Sequence, residues 1–315
     1  MSPVEILVVG PLLPALQESL DREYSVQKLW EIPNREGYLR EQGASIRALV
    51  TTFIHGADTA LIQSLPNLEI IASYGVGLER IDLDTACQRV IQVTTTPDIQ
   101  EPVADTAIAL LLAVTRRICE GDRYVKAGQW PQRAFPFGTE LGGKTCGIVG
   151  LGRIGRAIAR RAEAFGMRIA YHGPNAKSDV SYRYYDDLET LAKEADFLIL
   201  ALPGGAETRH LIDARILTAL GPSAFLVNVA RGSVVDEQAL VEALQTGKIA
   251  GAGLDVFEHE PLTESPLMQL ENVVLLPHIA SATTETRHAM GEVVLANLKA
   301  HFTGQQLITP IFQRE

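Results

Sequence analysis

Cysteine is scarce: the 315 residues hold three, Cys87, Cys119 and Cys146, and no two stand in a CxxC spacing. That argues against a disulfide framework or a thiolate zinc site, so the three read as small buried hydrophobes in a reducing compartment and no metal is expected. A basic surplus is also lacking, because 28 Lys and Arg against 38 Asp and Glu leave a net charge of -10. Sequence-independent nucleic-acid binding rests on cations that neutralise phosphates, and docking on an anionic membrane needs the same sign, so neither partner is expected. No long apolar run is present. The most apolar stretch, Val103 to Val114, carries Asp105 and falls well short of the ~20 residues that cross a bilayer. The N-terminal run from Met1 to Ile6 has neither a basic n-region nor an apolar h-region, which reads as a cytoplasmic protein. Short-period repeats and low-complexity segments are missing as well.

What is there is an ordinary globular composition, 46% apolar and 21% charged, which buries real cores. At roughly 150 residues per domain the length predicts two domains. Short apolar runs, Ile6–Val9, Ala48–Thr51, Ile70–Tyr74 and Ile91–Thr94, alternate with helical patterns at Leu12–Leu20, Ala60–Leu65 and Leu83–Arg89. Such alternation means parallel strands covered by helices. After Pro97 one long helix is expected from Glu101 to Glu120, apolar on nearly every face, and so buried on more than one side.

A second series begins at Thr145, with six expected strands at Cys146–Val149, Arg168–Tyr171, Phe197–Ala201, Phe225–Asn228, Ala250–Leu254 and Val273–Leu276. Helices are expected near Ile154–Phe165, Leu188–Glu194, Ala214–Leu220 and Glu237–Thr246, with a final amphipathic helix over Glu285–Phe302. The expected fold is α/β in two domains: a Rossmann dinucleotide-binding domain, 99–285, inserted into a flavodoxin-like substrate domain made of 1–98 and 286–315.

Gly150-Leu-Gly152-Arg153-Ile154-Gly155 follows the first strand of the second series and opens its first helix. The first glycine permits the tight turn, the second lets a pyrophosphate approach the backbone, and the third lets helix and strand pack closely. A bare GxGxxG is weak, but one with both flanks right is a strong sign of a dinucleotide site. The corresponding turn of the first series, Gly10-Pro-Leu-Leu-Pro14, has a single glycine and is not expected to bind one. NAD-preferring sites carry an acid about 20 residues on, for the ribose 2′-hydroxyl. Here the strand ends Tyr171-His-Gly-Pro-Asn175-Ala-Lys177, without a carboxylate. NADP(H) is therefore favoured and NAD(H) possible, with Arg153, Asn175 and Lys177 as candidates for the 2′-phosphate.

Three further segments stand where Rossmann strands end: Asn228-Val-Ala-Arg231-Gly, Asp255-Val-Phe-Glu-His-Glu260-Pro, and Pro277-His278-Ile-Ala-Ser281. Ligands of open α/β sheets bind beyond the carboxyl ends of the strands. A planar guanidinium, Arg231, can hold a substrate carboxylate with two bonds. His278 can move a proton near neutral pH, and Glu260 against it would favour the protonated imidazole. Singly, each has a structural explanation: Arg231 in a salt bridge, Glu260 at the surface, His278 satisfied in a loop. Together, beyond a dinucleotide fingerprint, they read as catalytic residues for reduction of a 2-keto acid. Glu258-His259-Glu260 looks ligand-like, but consecutive residues do not converge on one ion without a special loop.

These blocks resemble the D-2-hydroxyacid dehydrogenase family, and within it the glyoxylate/hydroxypyruvate reductases. The resemblance runs from Gly147 to Pro310. It is looser in the first third, where Ser73-Tyr-Gly-Val76-Gly77 and Val103 to Leu112 carry it. It implies substrate orientation by Arg231, a Glu260–His278 proton donor, and substrate binding by the amides of Val76 and Gly77. Ser281 joins the substrate set through its block, and Asp255 is placed near the nicotinamide. A homodimer built on the interdomain helix is also implied, in which Trp130, Phe135 and Phe137 either pack at the interface or reach the partner's site. The expected substrate is a small 2-keto acid. A larger one (2-ketogluconate or an arylpyruvate) and a dinucleotide-sensing corepressor-like binding role are the alternatives.

Overall fold

The computed structural model describes residues 4–97 and 99–312. Met1, Ser2 and Pro3 of the N-terminal reading, and Asp98 at the expected domain boundary, lie outside the described residues. The chain forms two units, one running to Ile99 and resuming at Ala282, the other spanning Gln100–Ser281.

In the first unit the elements follow in the order β1 (Glu5–Val8), α1 (Pro14–Glu23), β2 (Ser25–Lys28), α2 (Arg35–Gln42), β3 (Ile46–Thr52), α3 (Thr59–Gln63), β4 (Ile70–Tyr74), α4 (Leu83–Gln88) and β5 (Gln92–Thr94). Its five strands are all parallel, in the order β2-β1-β3-β4-β5, the flavodoxin-like arrangement. Successive side chains of a strand face opposite sides, and the sequence uses both. Ile6, Val8, Ala48, Val50, Ile70 and Ala72 share one core with Leu16 and Leu20 of α1 and with Met290, Val294 and Leu298 of the C-terminal helix, Thr284–Phe302. Leu7, Leu49, Ile71 and Val93 share the other with Ile62, Leu65 and Ala86.

The second unit contains α5 (Gln100–Thr115), α6 (Ile118–Lys126), β6 (Thr145–Val149), α7 (Arg153–Ala164), β7 (Arg168–His172), β8 (Arg183–Tyr185), α8 (Leu188–Glu194), β9 (Phe197–Leu200), α9 (Ala214–Leu220), β10 (Phe225–Asn228), α10 (Glu237–Gln245), β11 (Gly251–Leu254) and β12 (Val273–Leu275). Its parallel sheet runs β12-β11-β10-β9-β6-β7-β8, which is the Rossmann order with one strand added beyond the sixth.

Three expectations need correction. The second sheet has seven strands, not six, because β8 is a short edge strand that the apolar pattern does not mark. In the first unit β2 and α2 were likewise not anticipated: β2 is half-buried throughout, and α2 buries only Gly37. The expected single helix from Glu101 to Glu120 is two, broken at Arg117, whose φ of 54° is left-handed. The first of the two, α5, is buried through Val103, Ala104, Ala107, Ile108, Leu110, Leu111 and Val114. It packs on β11 where Gly251 and Gly253 leave room for Val114 and Leu110. Its polar side, Glu101 and Asp105, pairs with Arg160 and Arg161 of α7.

Candidate active site

Each glycine of the 150–155 loop occupies a different physical situation. Gly150 has a φ of +94°, and a β-carbon there would stand 2.5 Å from the Ala201 carbonyl oxygen. A β-carbon on Gly155 would overlap the Gly150 carbonyl, so helix and loop meet as backbones. A β-carbon on Gly152 would meet nothing within 4 Å. Gly152 is also the N-cap of α7 and gives it no side-chain cap, whereas α8, α9 and α10 are capped by Asp187, Asp213 and Asp236. An N-terminus with no side-chain cap keeps free the backbone donors and dipole that a phosphate needs. Arg153 and Ile154 form its first turn. In the first unit the glycine turn after β1 is packed closely, since a β-carbon on Gly10 would meet the ring of His55, whose Nδ1 lies 2.8 Å from Thr52 Oγ1.

After β7 the chain turns through residues 173–177, with Asn175 and Lys177 exposed. Two tyrosines missed by sequence reasoning fix this turn. The Tyr184 hydroxyl donates to the Gly173 carbonyl at 3.0 Å, and the Lys177 N–H donates to the Tyr171 hydroxyl at 2.6 Å. Tyr171 is fully buried, with its ring centroid 5.3 Å from that of Tyr184. Asp179, the first carboxylate beyond the turn, is held bidentately by Arg156, with both contacts at 2.9 Å.

Arg231, Glu260, His278 and Asp255 come together at the ends of β10, β11 and β12. Nδ1–H of His278 donates to Glu260 Oε2 at 2.6 Å, since an ionised carboxylate can only accept. The other oxygen, Oε1, accepts the Phe257 N–H at 2.9 Å. Burial pushes the Glu260 carboxyl up, but His278, the Phe257 amide and the Arg231 charge more than offset it, leaving it below the ordinary glutamate value. The backbone of His278 is left-handed, with φ 53°, an uncommon state for a non-glycine residue. Asp255 fixes that segment. Its carbonyl accepts the His278 N–H at 2.9 Å, and its carboxylate accepts the N–H groups of Ile279 at 2.7 Å and Ala280 at 2.9 Å. Burial holds the Asp255 carboxyl above its ordinary value, against the pull of those two amides.

Asn228 and Gly232, for which sequence reasoning gave no role, position Arg231. The buried Asn228 side chain accepts the Ala230 N–H and donates to the Arg231 carbonyl, both at 3.0 Å. Gly232 has no space for a side chain because the Phe257 carbonyl lies against it. The Arg-Gly dipeptide at a strand end was the available signal. Ser281 is half-buried at the end of this unit. Val76 and Gly77 lie in the first unit, on the loop after β4, with Val76 exposed and Gly77 buried.

Phe135 packs on its own chain, 5.2 Å from the ring of Tyr124, while Trp130 and Phe137 are exposed. The three cysteines are free thiols, but only Cys146 is buried, and burial pushes it up to about 12; Cys87 is exposed and Cys119 half-buried, which corrects the reading of all three as buried. Among the described residues no group of three or more His, Cys, Asp or Glu can hold a metal ion, and no helix is long and apolar enough to cross a membrane.

The chain is similar to known proteins along most of its length. The NAD binding domain of the D-isomer specific 2-hydroxyacid dehydrogenases matches residues 108–280. Over 312 residues the chain is 47% identical to glyoxylate/hydroxypyruvate reductase A of Arabidopsis thaliana, covering 99% of this chain and 100% of that one. It is 46% identical to hydroxyphenylpyruvate reductase of Plectranthus scutellarioides, again over 312 residues, 99% of this chain and 100% of that one. Among solved structures, an NADPH-dependent glyoxylate/hydroxypyruvate reductase of Sinorhizobium meliloti, in complex with NADP and malonate, superposes with a TM-score of 0.91. It is 41% identical and covers 100% of this chain and 99% of that one.

Proposed function

The chain belongs to the D-isomer specific 2-hydroxyacid dehydrogenases, and from that premise we propose that it reduces a small 2-keto acid of the glyoxylate/hydroxypyruvate type to the D-2-hydroxy acid. The nicotinamide dinucleotide supplies the hydride when bound. The Gly150–Gly155 loop, with Gly150 and Gly155 shaping the turn and Gly152, Arg153 and Ile154 at the N-terminus of α7, would hold its pyrophosphate. Arg231 pairs with the substrate carboxylate through its planar guanidinium. His278 gives a proton to the carbonyl oxygen as the carbonyl carbon gains hydride, so the C=O bond becomes CH–OH with no charge left on oxygen. Glu260 keeps the imidazole oriented through Nδ1, so that Nε2 carries the transferred proton, and it balances the imidazolium charge. What carries this reading is the 2.6 Å His278–Glu260 pair beside Arg231, at strand ends beyond a dinucleotide loop.

NADPH is the favoured cofactor. No carboxylate stands in the 173–177 turn, Asp179 is taken up by Arg156, and the Sinorhizobium meliloti reductase is NADPH-dependent. Arg153, Asn175 and Lys177 are the proposed phosphate contacts. The enzyme acts in the cytoplasm as a homodimer; the exposed Ile118, Val125, Trp130 and Phe137 of one connected segment support a self-association face. A larger keto acid is the second reading, favoured by the 46% identity to hydroxyphenylpyruvate reductase.

Initial rates for glyoxylate, hydroxypyruvate, pyruvate, phenylpyruvate and 2-ketogluconate, each with NADPH and NADH, decide among these. Preference for the first two with NADPH is expected. Oxidation of neither cofactor by any of the five would overturn the enzymatic reading and leave the dinucleotide-sensing one.

A further inference from the structure

A second carboxylate stands two residues before Glu260 and is tied elsewhere. The side chain of Glu258 is 18% exposed, and its Oε1 accepts from Arg209 Nη2 and His210 Nε2, each at 2.8 Å. Its backbone N–H donates to Glu237 Oε2 at 3.2 Å, and Glu237 opens α10. Ser265 Oγ donates to the other oxygen of Glu237 at 3.4 Å. The residue carrying that imidazole is held at its backbone: His210 is left-handed, with φ 50°, and its backbone N–H donates to the Ser233 carbonyl at 2.8 Å. Glu258 therefore joins three segments: the one after β9, the start of α10, and the turn that leaves β11 for Glu260.

Two features of this arrangement bear on the Glu260–His278 pair. The turn from Phe257 to Glu260 is closed on itself into one unit by the bond from the Phe257 N–H to Glu260 Oε1. Glu258 sits inside that unit and fastens it to the rest of the sheet's end. The second feature is charge. Two carboxylates separated only by His259 can compete for one imidazole, and a carboxylate already facing a guanidinium and an imidazole does not. Burial pushes the Glu258 carboxyl up, while His210 and Arg209 bring it below its ordinary value, so it is ionised and engaged at neutral pH.

We propose that Glu258 is a positioning residue for the reduction: anchored by Arg209 and His210, it fixes the Phe257–Glu260 turn so that the Glu260 carboxylate, and not its own, meets His278. The inference rests on the roles assigned to Glu260 and His278 under Proposed function. Its size follows from geometry, since misplacing a catalytic group by about 1 Å costs on the order of 100-fold in rate.

The test is a double-mutant cycle on the full-length enzyme with NADPH and its best keto acid. Glu258→Ala is expected to lower kcat by roughly tenfold or more, with the keto-acid KM and the NADPH Kd within about threefold of the parent. Glu258→Gln keeps an acceptor oxygen for Arg209 and His210 and is expected to recover most of the rate at an equal melting temperature. In a Glu260→Gln background, Glu258→Ala is expected to change kcat by less than about twofold, because its effect runs through Glu260. An undiminished loss in that background overturns the proposal. So does a parental kcat in Glu258→Ala, or a loss that follows melting temperature and is not recovered by glutamine. Parental turnover in His278→Asn would instead overturn the underlying assignment, so the two failures are separable.

Discussion

Gly232 and Phe257 meet backbone to backbone: a β-carbon on Gly232 would fall inside the Phe257 carbonyl group. The two loops leave the hydrogen-bonded neighbours β10 and β11, and this contact brings Arg231 on one beside the Glu260 turn on the other.

Gly232→Ala therefore forces one loop away from the other. Its φ is not left-handed, so the cost is overpacking and not backbone strain, and a loss of about 1–3 kcal/mol is expected. Denaturant melts should show the loss, and steady-state rates should show kcat falling further than stability alone explains. Parental values for both would mean that the loops are not coupled.

Replacing His278 needs a residue that tolerates its left-handed backbone, and asparagine does. His278→Asn is expected to lower turnover by about 10²- to 10⁴-fold and to leave NADPH affinity nearly intact. Equal losses of turnover and cofactor affinity would assign the histidine to binding.

The pH dependence of stability follows from Glu260, whose carboxyl lies below its ordinary value in the fold. A depressed folded-state pKa gives stability that is present above the unfolded value, about 4.3, and lost as pH falls through the folded one. The stability gap between the parent and Glu260→Gln should be present at pH 6 and shrink as pH drops below about 4. Thermal melts across that range test it, and a gap that widens toward acid contradicts the sign.

Tyr171→Phe removes the hydroxyl that accepts the Lys177 N–H. Loss of one such bond is worth about 0.5–1.5 kcal/mol, and the 173–177 turn is expected to loosen. Fluorescence titration should show NADPH binding weakened several-fold and NADH binding less. Equal weakening of both would mean that the turn does not discriminate the 2′-phosphate.

How much of this was legible in the sequence depended on burial. The central strands β3, β4, β6, β9, β10 and β11 are apolar runs, and all stood within a few residues of where the pattern put them. The edge strands β2 and β8 are short and carry no such runs: Ser25-Val-Gln-Lys28 and Arg183-Tyr-Tyr185 look like loops. The break at Arg117 carried no glycine or proline to announce it. Instead, Arg117 forms a bidentate pair with Glu120 inside the first turn of α6, an i,i+3 contact that also occurs within unbroken helices and so does not mark a break. For the site, strand-end motifs named Arg231, Glu260 and His278. The supports, Asn228, Gly232, Tyr171 and Tyr184, act through backbone groups and close approach, which residue type alone does not reveal.

The His55 ring set against Gly10 has a quantitative consequence. Both units present parallel sheets whose first strand ends in a glycine turn, so a fold-level comparison would allow two nucleotides. With His55 packed on the first turn and the second running into a helix whose N-cap, Gly152, has no side chain, binding should saturate at a stoichiometry of one dinucleotide per chain.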